Sequence, residues 1–167
     1  MLDSWQERLK VEKKVNRALE SIVLEVQTFT DMDVSIEYNT KNMNALDSMI
    51  RRHRNGESTN FSSGVARPEV RSLAWMTSRE NGIAANFDRQ VFIDMTEIYV
   101  EFDRLEKILA YNREFSLKSD PGMPPVNRAI HKRRQLDRII FRSQELQARA
   151  NEFLEKYKSA DFTQLIN

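Results

Sequence analysis

Apolar residues recur at alternating steps of four and three along most of the chain. The first series is Val15, Leu19, Ile22, Val26, Phe29, Met32, Ile36, Met43, Leu46 and Ile50. Positions spaced this way fall on one helix face, and the mean step is that of a coiled-coil seam. Trp5 and Leu9 extend the stripe backwards, so the spacing predicts one unbroken helix over 1–54. At about 1.5 Å per residue its roughly 50 residues would reach about 75 Å, long enough to project from the body or to pack along another chain. Asn39 stands where the stripe requires an apolar residue, which suits either a register-fixing polar position or a kink. Asn55-Gly56 then offers a left-handed cap, and 55–67 reads as a loop.

Pro68 suits a first helical turn and predicts a short helix over 68–81, with Trp75 as a core plug. Phe87, Val91, Met95, Ile98, Phe102, Leu105 and Leu109 predict a long helix over 86–117, capped by Asn86. The segment from Ser119 to Pro125 breaks it. A last long helix follows over 126–158, on the stripe Ile130, Leu136, Ile140, Ser143, Gln147, Ala150, Leu154 and Tyr157, with Ile139, Leu146 and Phe153 flanking. Residues 159–167 form a tail. The expected fold is all-α: a single antiparallel bundle domain over 1–167, with three long helices and one short helix.

Composition agrees with a helical globular chain: 167 residues, 40% hydrophobic, 31% charged, 4 Gly and 4 Pro. Lys plus Arg number 26 against 25 for Asp plus Glu, so the total charge does not suggest bulk polyanion binding. Cys is 0, which excludes disulfides, thiolate metal sites and cysteine nucleophiles. No run of about 18 apolar residues is present to cross a bilayer.

Catalytic patterns are not found. His53 and His131 sit in Arg51-Arg52-His53-Arg54 and His131-Lys132-Arg133-Arg134, where neighbouring cations disfavour a metal and depress imidazole basicity. The Gly-rich phosphate loop, the nucleophile elbow and the zinc helix are absent. The reading is therefore non-enzymatic, with no catalytic residue, cofactor or metal. Asp94, Glu97, Glu101 and Asp103 cluster on the third predicted helix. Glu97 and Glu101 share a face that suits a divalent cation, but equally a solvated face paired with Arg104 or a basic helix.

The most uneven charge opens the last helix. Arg128, Lys132, Arg134, Arg138 and Arg142, beside Arg133, stand against Asp137 alone, and Arg134, Arg138 and Arg142 follow steps of four. This basic ridge is expected to face the acidic helix, or to form a partner surface, or to hold nucleic acid; it lacks the interleaved aromatics that stack bases. Near the start, Trp5 with Arg8 and Lys10 suits a membrane interface.

Trp5-Gln6-Glu7-Arg8, a Lys/Glu-rich turn, then Ala18-Leu19-Glu20-Ser21-Ile22-Val23-Leu24-Glu25-Val26 resembles the segment after the anchor in extracytoplasmic helical domains of bacterial single-pass membrane proteins of unknown function. Ala74-Trp75, Asn81-Gly82 and the stretch from Phe92 to Tyr99 follow in the same order. The resemblance implies an interaction or sensing module in the periplasm or otherwise outside the cytoplasm, with an apolar anchor before Trp5. It implies no activity. A protein partner or self-association is expected, and nucleic acid is not. The alternative is a soluble cytoplasmic adaptor, or a nucleic-acid binder using the basic ridge.

Overall fold

The computed structural model describes residues 2–70, 72–117 and 122–157, and the side chains of 5–70, 72–116 and 122–157. The tail 159–167 and the Ser119-Asp120-Pro121 part of the predicted break lie outside the described residues. The described chain is all-helical, a helical bundle without strands. Its order is α1 (Leu2–Thr28), α2 (Asp33–Arg54), α3 (Leu73–Glu80), a 3-10 turn (Ile83–Asn86), α4 (Arg89–Leu117) and α5 (Pro125–Tyr157).

The unbroken first helix is corrected. Between α1 and α2 the backbone tightens: Phe29 N–H donates to Val26 O at 3.0 Å and Thr30 N–H to Gln27 O at 3.1 Å. Thr28 and Thr30 hydroxyls also donate to carbonyls three residues back. Such local bonds compete with helix continuation, and Asp33 favours a new first turn. Phe29 and Met32 are nevertheless both fully buried, because the step of three across a tight turn preserves the stripe. Among the described residues four long helices therefore stand where three were expected.

Other boundaries shift for identifiable reasons. Gly56, at φ 84°, ends α2 as predicted, with its N–H donating to His53 O and Glu57 N–H to Arg52 O. Pro68 does not start a helix; it is buried in the irregular segment 57–70, and α3 begins at Leu73. Asp88, not Asn86, caps α4, accepting from Gln90 N–H at 2.7 Å and Val91 N–H at 3.3 Å. Pro125 occupies the first position of α5, where its missing N–H is harmless.

The chain divides into two compact units. The first takes Met1–Asp31, Glu69–Val100 and Leu146–Asn167; the second takes Met32–Pro68 and Glu101–Glu145. In each unit rising α4 numbers meet falling α5 numbers, so the two segments run antiparallel. The first unit pairs Asp94 with Lys156 and Glu97 with Arg149. The second pairs Glu101 with Arg142 and stacks Phe115 on His131.

Leu19, Ile22, Phe29, Trp75, Phe87, Met95, Ile98 and Leu146 of the first unit are all essentially closed to solvent. Tyr99 stacks on Trp75 at 5.5 Å and meets Phe29 edge-on at 5.6 Å. The carboxylate of Glu25, buried in α1, accepts from Ala74 N–H at 2.8 Å, from Trp75 N–H at 3.5 Å and from the Tyr99 hydroxyl. Ser72 gives α3 no side-chain cap, so Glu25 does that work from a distant helix. Burial beside this carboxylate pushes the Tyr99 phenol far up.

In the second unit Leu46, Ile50, Ala129 and Leu136 form a cluster covered by Met43, Phe61, Val65 and Ile130. Asn39, 1% exposed, neither kinks α2 nor awaits a second copy. Its Nδ2 donates to Ala66 O at 2.9 Å and its Oδ1 accepts from Ala66 N–H at 2.8 Å, clamping the segment 57–70. On α5 the residues expected to flank the stripe, Ile139, Leu146 and Phe153, are all buried, whereas Ile130, Gln147, Leu154 and Tyr157 of the predicted stripe are only half-buried.

Candidate functional site

The structure separates the predicted basic ridge into three environments. Arg142 turns to α4, its Nη1 donating to Glu101 Oε2 at 2.9 Å. Arg104 holds the other carboxylate oxygen. Glu97 takes Arg149 at 2.6 Å, and Asp94 takes Lys156 at 2.6 Å and the Tyr157 hydroxyl at 2.7 Å. Asp94, Glu97 and Glu101 are thus ion-paired to α5, while Asp103 is exposed with no ion-pair partner among the described residues. Burial alone would raise the Asp94 carboxyl, but bonds from Lys156, Tyr157 and Gln90 outweigh it and hold Asp94 below its ordinary value. Tyr157 is pushed up to about 12, by burial and by its bond to Asp94.

Lys132 and Arg128 are half-buried and line a cavity beside the segment 57–63. Lys132 Nζ donates to the carbonyl of Ser63. Arg134 and Arg138 are exposed, with no ion-pair partner among the described residues.

Arg134 is not isolated. Across from it stands the last turn of α2, which carries Arg51, Arg52, His53 and Arg54. Cations are favoured there because the final carbonyls of a helix present partial negative charge. Between the helices lies a groove of about 610 Å³, lined by Asp47, Ile50, Arg51, Arg54, Ile130, Arg133, Arg134 and Asn44. Arg133 Nε reaches Asp47 at 3.1 and 3.4 Å, so the single carboxylate among the described lining residues is already engaged. Arg51, Arg54 and Arg134 are exposed and have no carboxylate partner among the described residues. The floor is Ile50 and Ile130. Guanidinium forks over an apolar floor suit carboxylate-rich or phosphate-bearing matter, and among the described residues no aromatic side chain lines the groove for base stacking.

Sequence reasoning placed Arg134 on a ridge but gave Arg51 and Arg54 no role beyond neighbours of His53. The signal was the cluster at Arg51–Arg54; which face it would meet was not readable. Thr59 and Ser63, on the walls of the second cavity, carried no signal.

His131 lies against Phe115, with ring centroids 4.0 Å apart, and near Tyr111 at 5.9 Å. Burial, then the charges of Arg134 and Arg138, hold its pKa below the usual histidine value. The proton therefore binds the unfolded chain more readily. The stability this gives is complete above about pH 6.5 and is lost as pH falls below that value. The melting temperature of the native chain should fall between about pH 7 and about pH 5, and His131→Phe should flatten that slope. Equal slopes in thermal melts of the two proteins would contradict it.

At the start of α1, Trp5 is 61% exposed, and Arg8 and Lys10 are exposed beside it. No helix of the described residues is long and apolar enough to cross a membrane. Comparisons with family models, curated proteins and solved structures give no match.

Proposed function

We propose that the chain is a non-enzymatic helical interaction module that docks an acidic protein segment in the arginine groove of α2 and α5. The observation that carries this reading is the set of three exposed guanidinium groups, Arg51, Arg54 and Arg134, that line the groove with Ile50 and Ile130 and have no carboxylate partner among the described residues. Charge complementarity selects a carboxylate-rich partner, and the two isoleucines give an apolar anchor a place to rest. Placement beside a membrane, with an anchor before α1, is part of the same reading. It is supported by the exposed Trp5 among exposed cations.

The full chain is titrated with a Glu-rich amphipathic peptide and with duplex DNA at two salt concentrations. Saturable peptide binding is expected. The double variant Arg51→Glu, Arg134→Glu should weaken it about 100-fold, or about 2.7 kcal/mol. Both residues are exposed, so the melting temperature should hardly move. If duplex DNA binds more tightly than the peptide and loses affinity steeply with salt, the nucleic-acid reading takes its place. If neither ligand notices the double variant, the groove is not a recognition site.

A further inference from the structure

A second cavity in the same unit, independent of the arginine groove, has the chemistry of a small-molecule site. It occupies about 450 Å³ between the segment 57–63, the end of α4 and the start of α5. That volume lies within the range of pockets that enclose small ligands. Leu46, Phe61 and Phe115 give it apolar walls, and Lys132 and Arg128 give it two cations. None of the described residues that line it is acidic.

Two details indicate a missing polar partner. The hydroxyl oxygens of Thr59 and Ser63 are closed off from solvent and have no hydrogen-bond partner among the described residues. Buried polar atoms are rarely left so, and an orphaned hydroxyl asks what completes it. Lys132 uses one N–H on the Ser63 carbonyl, which leaves two donors on its ammonium. Burial also lowers its pKa.

We infer that this cavity binds a compact organic anion, with its carboxylate or phosphate head on Lys132, Arg128 and the Thr59 and Ser63 hydroxyls and its apolar body between Phe61 and Phe115. The cations supply charge, the hydroxyls supply direction, and the rings select against a bare inorganic ion. Carboxylate and phosphate heads share this chemistry, so the probes must separate them.

Calorimetric titration of the full chain with 2-naphthoate, naphthyl phosphate, inorganic phosphate and neutral 2-naphthol makes the test. One or both naphthyl anions should bind saturably, and the tighter of them identifies the head group. Naphthol and inorganic phosphate should each bind at least about tenfold more weakly, because each lacks one half of the recognition. Lys132→Met should reduce affinity about tenfold or more, though it also removes the tie to Ser63. Thr59→Val is the cleaner variant: its hydroxyl has no partner to lose, so the melting temperature should hold or rise while anion affinity falls several-fold. No saturable binding of either anion would overturn the assignment. So would naphthol binding as tightly as the anions, or affinity unchanged in both variants.

Discussion

Replacing Glu25 with Ala should destabilise the protein by about 3–4 kcal/mol, lowering its melting temperature by about 10 °C. The change strands the N–H groups of Ala74 and Trp75 and the hydroxyl of Tyr99 in the core of the first unit. A helix of eight residues such as α3 does not stand without tertiary support, and this carboxylate is the only side chain among the described residues seen capping it. Glu25→Gln keeps an acceptor and should lose about half as much. Tyr99→Phe removes one bond of the set, so its effect should combine with Glu25→Ala less than additively. Thermal and urea unfolding of the native chain, the three single variants and the Glu25→Ala, Tyr99→Phe double variant checks this. A Glu25→Ala loss below about 1 kcal/mol, the size of an ordinary surface change, would mean that α3 is held by packing of Trp75 alone.

The second large effect separates structural arginines from available ones. Arg142→Met should cost about 2–4 kcal/mol, because the Glu101 carboxylate, 4% exposed in its side chain, then keeps only Arg104. Arg138→Met, one turn earlier and exposed, should change stability by no more than about 0.5 kcal/mol. The urea midpoint should therefore drop for Arg142→Met with an unchanged slope, and stay in place for Arg138→Met. Equal losses from both would mean that the exposed part of α5 is also engaged in holding the fold.

Helical class and most buried positions were legible in the sequence. Every residue of the α4 stripe from Phe87 to Leu109 is buried, because period alone decides which face an amphipathic helix hides. The break after Thr28 was not legible, for the same reason. A tight turn advances side chains by three, so Phe29 and Met32 stay in phase and a count of apolar steps passes over the interruption. The start of α3 was misread because Pro68 resembles a first-turn residue, whereas the boundary depends on Glu25, which lies 49 residues before Ala74. Of the candidate site, the basic residues of α5 were visible and their division was not. Whether an arginine is spent on Glu101, faces α2 or lines a cavity depends on tertiary neighbours. The Thr59 and Ser63 hydroxyls look like ordinary loop residues until their surroundings are known.

The clamp at Asn39 has a consequence for how this chain can drift. Its amide reads only the main chain of residue 66, donating to one carbonyl and accepting from one N–H. That contact therefore accepts any residue at position 66 that keeps an N–H, and proline alone is barred by it. Position 39 has almost no such latitude. Aspartate lacks the donor, leucine lacks both groups, and glutamine sets its amide one methylene too far out. Among diverged sequences of this fold, the constant mark of the clamp would be a solitary asparagine facing a position that looks unselected.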